Sequence, residues 1–246
     1  MLEVQWSGDG ERLLSCSADK TVRAWDAATG LQVKKMSEHS AIVNSVCSAR
    51  GGVPLLVSGS DDGTARIWDL RVRKCVQRFD GRFAVTAVAF SEGGDGVFCG
   101  GIDNEVRCID LRTCEASMTL CGHTDTVTGV AMSPDGNFLL SNAMDQTLRV
   151  WDVRPYAPQE RCTRVIKGHA HNFEKNLLRC AWSHDGTKVT CGSADRMVYV
   201  WGSDGTLQYK LPGHKGSVNE TVMHPQEPIV ASCSSDTTIF MGELAL

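Results

Sequence analysis

Four histidines are each followed, 22 to 26 residues later, by an aspartate. The pairs are His39 with Asp62, His123 with Asp145, His169 with Asp195, and His214 with Asp236. An imidazole beside a carboxylate can transfer protons as a general acid and base, so these pairs are the first candidates for catalysis. A catalytic site is used once per fold, whereas this spacing occurs four times. The repetition therefore favours a structural role.

The aspartates belong to a segment that recurs along the whole chain. It reads SADKTVRAWD at 17–26, SDDGTARIWD at 60–69 and NAMDQTLRVWD at 142–152, and related segments stand at 101–110, 193–202 and 234–243. The aligned aspartates are Asp19, Asp62, Asp103, Asp145, Asp195 and Asp236, at spacings of 43, 41, 42, 50 and 41 residues. A period near 42 that ends in Trp-Asp predicts a repeat architecture.

Each period predicts four short strands. In one repeat, Val127–Met132 leads into a turn at 133–136, and a second apolar run follows at 137–141. The alternating run at 147–151 and a fourth run at 164–167 complete the set. One four-stranded sheet cannot bury both of its faces, so several sheets must stack radially. The predicted fold is therefore all-β, a β-propeller with six visible repeats.

The composition excludes several function classes. The net charge of −4 argues against a protein that holds nucleic acid through a broad basic face. No apolar run approaches the roughly 18 residues of a membrane span, and the N-terminal sequence MLEVQWSGDGER shows no secretory signal. The 11 cysteines never form Cys-x-x-Cys, so we expect reduced thiols and neither a metal nor a cofactor.

These features resemble the WD40-repeat family. Gly-His stands at 122–123, 168–169 and 213–214, and Trp-Asp at 25–26, 68–69 and 151–152. The resemblance covers residues 1–246 and implies a single WD40 propeller domain, with repeats ending near residues 26, 69, 110, 152, 202 and 243.

The resemblance also implies a role for the His-Asp pairs. In this family the histidine, the turn aspartate, a strand Ser or Thr and the tryptophan form a buried hydrogen-bond chain, which satisfies polar atoms that are costly to bury. The residues assigned to this network are His39, Asp62 and Trp68; His123, Asp145 and Trp151; His169, Asp195 and Trp201; and His214 with Asp236.

Two repeats depart from the pattern. The third ends in Cys108-Ile109-Asp110 without tryptophan and has Asp80-Gly81 in place of Gly-His. We expect its polar network to be missing and apolar packing to hold that sheet together. The sixth ends in Met241-Gly242-Glu243.

A partner surface is also implied by the resemblance. Family members line one face of the propeller channel with residues three and five positions after Gly-His and with the residue before the turn aspartate. The candidates carried over are Ile42, Asn44, Asp61, Ile102, Thr126, Thr128, Met144, Leu178 and Asn219, and the set is completed by Ala84, Thr86, Asn176, Ala194, Ser217 and Ser235. With one acid and no Lys or Arg, this set suits a polypeptide better than phosphate or a methyl-lysine.

The spacing of 50 residues comes from two insertions in one repeat, at 153–161 and 169–176. Extended loops often carry function, and Tyr156 and Phe173 would be exposed aromatic residues suited to a protein contact. The alternative is neutral variation in loop length.

Several stretches carry a closer resemblance, to WD-repeat proteins of the U5 small nuclear ribonucleoprotein. They are 141–162, 171–189, 193–201, 209–220 and 234–244, and they include loops on which the general repeat imposes nothing. The resemblance implies a nuclear, non-enzymatic scaffold for pre-mRNA splicing. The implied partners are a large Prp-eight-type scaffold protein and a Brr-two-type RNA helicase, with RNA contacted only indirectly. Such proteins have seven blades, so we expect this chain to lack the first.

Two rival functions remain open. Substrate receptors of cullin-type ubiquitin ligases often carry Trp-Asp-x-Arg, which occurs here at 68–71 and 151–154. The structural alternative is that Arg71 and Arg154 pair with neighbouring acidic residues. An enzyme would need a cluster of acids at the channel mouth, where Asp61 stands alone.

Overall fold

The computed structural model describes residues 1–72, 74–158 and 160–244 of the chain. These residues form 23 strands in six antiparallel sheets, one for each predicted repeat. They contain no helix, and so none that could span a membrane. The prediction of an all-β propeller fold with six visible repeats is confirmed.

The chain divides into two compact units, Met1–Cys121 and Gly122–Leu246. The first unit holds three four-stranded sheets in which consecutive strands pair. Their strands are β1 Glu3–Trp6, β2 Arg12–Cys16, β3 Val22–Asp26 and β4 Gln32–Met36; β5 Val43–Ser48, β6 Leu55–Ser60, β7 Thr64–Asp69 and β8 Cys75–Asp80; and β9 Val85–Phe90, β10 Gly96–Gly101, β11 Val106–Asp110 and β12 Ala116–Leu120.

The second unit holds two four-stranded sheets and, among its described residues, a last sheet of three strands. The strands are β13 Val127–Met132, β14 Phe138–Ala143, β15 Thr147–Asp152 and β16 Cys162–Lys167; β17 Cys180–Trp182, β18 Lys188–Gly192, β19 Val198–Gly202 and β20 Leu207–Leu211; and β21 Val218–Met223, β22 Ile229–Ser234 and β23 Ile239–Glu243.

Within each unit the core lies between neighbouring sheets. Every residue of β7 and β9 is buried, because these strands have sheets packed on both faces. The fourth strand of a sheet is different: β8 alternates exposed and half-buried residues and buries only Phe79 near its end. The fully buried strands are therefore inner strands, and strands that alternate between exposed and half-buried residues, such as β8, lie on the outer rim.

The turn aspartates are fixed by backbone geometry. In five repeats the carboxylate accepts a hydrogen bond from the backbone N–H two residues later, at 3.0 Å for Asp62 and Thr64. This Asx turn places the intervening residue in the left-handed region. The residues with positive φ at this position are Lys20, Gly63, Asn104, Gln146, Arg196 and Thr237. The second and third inner strands of each sheet are thus joined by the same tight turn.

Candidate functional site

The second repeat contains a complete polar network. The Nδ1 of His39, in the loop between β4 and β5, lies 2.9 Å from Oδ2 of Asp62, and its Nε2 lies 2.7 Å from Oγ of Ser58. The indole of Trp68 donates to the same Ser58 oxygen at 2.8 Å. A carboxylate can only accept, so Nδ1 of His39 carries the proton and Ser58 donates to Nε2.

The fourth repeat repeats this geometry. His123 lies 3.0 Å from Asp145 through Nδ1 and 2.6 Å from Ser141 through Nε2. Trp151 donates to Ser141 at 2.7 Å. The side chains of His123 and Asp145 are 1% and 6% exposed, so the network is closed to substrate.

The sixth repeat keeps the histidine but lacks the indole. His214 lies 3.3 Å from Asp236 and 2.8 Å from Ser232. The ring packs instead on Phe240, with 4.5 Å between the ring centroids. Register places Gly242 at the tryptophan position and Phe240 directly opposite Ser232, so Ser232 lacks the indole donor that Ser58 has.

Electrostatics make the pair of His39 and Asp62 a poor proton-transfer group. Burial lowers the pKa of His39, which keeps its imidazole neutral near pH 7. Burial alone would raise the pKa of Asp62, but hydrogen bonds from Thr64 and His39 outweigh it and hold the pKa far below its usual range. A general base needs a pKa near the working pH and access to substrate, and this pair has neither.

The fifth repeat departs from the expectation, and the predicted pairing of His169 with Asp195 is wrong. His169 instead lies 2.8 Å through Nε2 from Oδ1 of Asn142, on the neighbouring sheet. Asp195 accepts a hydrogen bond of 2.6 Å from the hydroxyl of Tyr199. The physical reason lies in Cys191 and Met197. They occupy the positions of Ser58 and Thr64 and cannot complete the network.

Sequence reasoning missed two residues of this region, Asn142 and His171. The Nδ2 of Asn142 donates to the Leu178 carbonyl at 3.0 Å and lies 3.4 Å from Nε2 of His171. The rings of His169 and His171 are 5.7 Å apart. Burial lowers the pKa of each to about 4. The sequence did carry a signal for both residues. Asn142 directly follows the repeat serine Ser141, and His171 belongs to the sequence His-Ala-His at 169–171.

The third repeat lacks the network, as its sequence predicts. Gly81 stands at the histidine position and Ile109 at the tryptophan position. Asp103 forms an ion pair of 2.6 Å with Arg107. A cavity of about 260 Å³ opens at this place.

Five of the proposed channel residues are buried, so the prediction that they meet a partner is wrong. Asn44, Thr86, Thr128, Leu178 and Ser217 are 5%, 5%, 0%, 1% and 5% exposed. Asn44 donates to the Val85 carbonyl at 3.1 Å, and Thr128 to the Leu178 carbonyl at 2.9 Å. At the position five residues after Gly-His, Asn44 and Thr128 thus form hydrogen bonds with the neighbouring sheet and do not face a partner.

The other candidates remain accessible to different degrees. Ile42, Asp61 and Ile102 are exposed in the first unit. In the second unit Thr126, Met144 and Asn219 are half-buried. In the two insertions Tyr156 is fully exposed and Phe173 is 91% exposed. Gln159, in the first insertion, lies outside the described residues.

The two Trp-Asp-x-Arg motifs have a local explanation. Arg71 donates to both carboxylate oxygens of Asp69, at 3.0 Å and 2.8 Å. Arg154 donates to those of Asp152 in the same way, at 3.0 Å and 2.5 Å. Both motifs thus form an internal fork of the kind that Arg and carboxylate favour. Arg73, two residues after Arg71, lies outside the described residues.

Among residues 1–72, 74–158 and 160–244, no group of three or more His, Cys, Asp or Glu side chains is arranged to hold a metal ion.

Comparison with known families finds one match along nearly the whole chain. The family described as WD domain, G-beta repeat matches residues 2–26, 30–69, 73–110, 114–152, 160–202 and 205–241. Each segment after the first begins with the fourth strand of one sheet and continues through the next three strands, so the segments are offset by one strand from the six sheets.

Individual relatives are more informative. The human U5 small nuclear ribonucleoprotein 40 kDa protein is 51% identical over 220 residues, which is 89% of this chain and 62% of the relative. The protein of the same name from Dictyostelium discoideum is 48% identical over 246 residues, or 99% of this chain and 69% of the relative. The pre-mRNA-splicing factor cwf17 of Schizosaccharomyces pombe is 43% identical over 98% of this chain and 71% of its own length. This chain therefore spans less than two thirds of the human relative.

Proposed function

Since this chain belongs to the WD40-repeat family, we propose that it is a non-enzymatic protein-interaction scaffold of the U5 small nuclear ribonucleoprotein that acts in pre-mRNA splicing. The observation that carries the proposal is the 48% identity over 99% of this chain to a protein named for that particle. The 43% identity to a splicing factor of fission yeast supports the same role.

The geometry of the polar networks supports a scaffold rather than an enzyme. The catalytic candidates His39, His123 and His214 are buried, and each is bonded to an aspartate and to a serine. Polar groups held this way fix the strands relative to one another. Loops on such a packed framework lose little conformational entropy when a partner binds.

The chemistry of the exposed residues favours protein partners. Tyr156 and Phe173 present nearly whole aromatic side chains to solvent in the second unit. Aromatic anchors of this kind contribute most of the binding free energy at protein interfaces. With a net charge of −4, contact with RNA would be indirect. We assign the chain to the nucleus, with a Prp-eight-type scaffold and a Brr-two-type helicase as the expected partners.

The ligase-receptor function gains no support from its motif. Arg71 and Arg154 are each held by the aspartate two residues earlier, so the fold itself accounts for both.

Affinity capture of the tagged full chain from nuclear extract tests the proposal, with the bound proteins and RNA both identified. Recovery of large spliceosomal proteins with U5 small nuclear RNA is the expected result. Recovery of a cullin adaptor without spliceosomal proteins would overturn it. The same capture can be repeated with Phe173→Ala, which removes an exposed aromatic side chain. Leu207→Ala, at a 53% exposed position on β20, is its matched control.

A further inference from the structure

The third repeat contains a built pocket where other repeats hold side chains. Register identifies the replaced residues: Cys99 pairs with Val88 as Ser58 pairs with Val46 in the second repeat. By the same comparison Ile109 takes the place of Trp68. Gly81 precedes β9 by the same number of residues as His39 precedes β5. The imidazole and the indole of the network are thus both absent here.

No larger side chain refills the vacated space. A cavity of about 260 Å³ remains, whose lining includes Gly81, Cys99, Asp103, Arg107 and Ile109. We call it the third-repeat pocket. Backbone forms part of its lining, at Gly63, Gly81, Gly100 and Gly101. A void of this kind forfeits dispersion contacts that an occupant would restore.

The wall of the pocket retains the chemistry of the missing network. Asp103 stands where Asp62 accepts the imidazole Nδ1–H of His39 at 2.9 Å. The side chain of Asp103 is 12% exposed, and one of its carboxylate oxygens forms an ion pair with Arg107. Burial raises the pKa of Cys99 to about 12, so a neutral thiol faces the space where Ser58 contacts the ring in the second repeat. The pocket therefore offers a carboxylate acceptor beside an apolar, ring-sized space.

We propose that the third-repeat pocket binds the imidazole of a histidine side chain presented by a partner polypeptide. The second repeat of the same chain supplies the template, because there an imidazole occupies the equivalent space. The charged groups of the lining balance, because Arg78 pairs with Asp80 and Arg107 with Asp103, and such a lining suits a neutral imidazole better than a charged ligand. The inference rests on the proposed role in protein binding, but its test uses an isolated ring and so can fail without overturning the splicing assignment.

The test is an NMR titration of the full chain with 4-methylimidazole, the isolated histidine ring, and with toluene as a ring that lacks an N–H. We expect 4-methylimidazole to shift the amide resonances of Gly81 and Gly101 at lower concentration than toluene does. Asp103→Asn should weaken the binding of 4-methylimidazole about tenfold, the equivalent of one charge-assisted hydrogen bond, and leave the binding of toluene unchanged.

Filling the pocket gives the second arm. Ile109→Trp should abolish the shifts, whereas Ile239→Trp, at a position that is 77% exposed in the other unit, should leave them intact. Equal binding of toluene and 4-methylimidazole would reduce the pocket to an apolar void and overturn the proposal. Absence of shifts with the unaltered chain would overturn it as well, and this readout does not depend on whether any variant folds.

Discussion

The imidazole of His169 is bonded to Asn142, 2.8 Å away, and not to Asp195 of its own repeat. Since the Nδ2 of Asn142 donates to the Leu178 carbonyl, its Oδ1 faces His169, and Nε2 of His169 carries the proton. This is the opposite tautomer from that of His39. The Nδ1 of His169 is left buried without a hydrogen-bond partner among the described residues. The fifth repeat thus joins two sheets by a link that differs from the repeated network.

Asn142 should be more important for stability than other asparagines of the same unit. Asn142→Ala would leave the Nε2–H of His169 without its partner in a buried site and would remove one of two donors to the Leu178 carbonyl, the other being Thr128. Leaving such a group unsatisfied costs about 1–3 kcal/mol, so we expect a clear loss in the free energy of unfolding. Urea denaturation measures it, with Asn137→Ala in the β13–β14 turn as the control. A loss no greater than that of Asn137→Ala would contradict this role.

Intact and broken networks should respond differently to loss of the aspartate charge. Asp145→Asn replaces one of the two oxygens that accept from His123 and from three backbone or hydroxyl donors. Asp195→Asn affects mainly Tyr199 and Lys210 near the surface. We predict a loss of about 2 kcal/mol or more for Asp145→Asn and a smaller one for Asp195→Asn. Thermal and chemical denaturation of the two variants decide the order, and the reverse order would refute it.

Stability should fall as the pH drops below the ordinary histidine pKa. Burial lowers the pKa values of His169 and His171 to about 4, against about 6.5 in an unfolded chain. Both rings are neutral in either state above pH 6.5, so no stability is lost there. Between pH 6.5 and 4 the unfolded chain binds protons that the folded chain does not, and folding is penalised by about 1–2 kcal/mol per ring at pH 5.

His171→Gln should flatten this pH dependence, because it removes one of the two buried rings. Denaturation midpoints at pH 7.5 and pH 5 for the unaltered chain and the variant provide the measurement. An unchanged slope in the variant would show that His171 is not among the groups responsible.

The exposed insertion aromatics should affect binding and not folding. Tyr156→Ala and Phe173→Ala remove side chains that are 100% and 91% exposed, so the free energy of unfolding should change by less than about 0.5 kcal/mol. Loss of an aromatic anchor should weaken capture of spliceosomal proteins about tenfold or more. Quantitative recovery with each variant, compared with Leu207→Ala, gives the result. Undiminished recovery with both would assign the insertions to neutral loop variation.

Much of the fold was predictable because the repeat recurs in the sequence along the whole chain. The position of Asp62 between two strands, the tryptophan six residues later and the histidine ahead of β5 each carry a local signal. The His, Asp and Trp of two networks, and His214 with Asp236 in a third, could therefore be assigned from the sequence. The fifth could not be, since its histidine and aspartate are present while Cys191 and Met197 replace the groups that would connect them.

Accessibility was harder to predict than identity. Asn44 and Thr128 are polar residues near a turn, and such residues are expected to be exposed. Each instead donates a hydrogen bond to a carbonyl of the neighbouring sheet. Only the stacking of two sheets decides whether such a side chain faces solvent. The cavity beside Gly81 has the same origin. The sequence showed that the rings were missing but not that the space would stay open.

The central claim is tested most directly by the RNA that accompanies the tagged full chain from nuclear extract. The account predicts strong enrichment of the U5 small nuclear RNA over the other spliceosomal RNAs. It also predicts that this enrichment disappears after the proteins are denatured, because the contact with RNA is indirect. Spliceosomal RNAs recovered only at background level, from a chain shown by denaturation to be folded, would contradict the assignment.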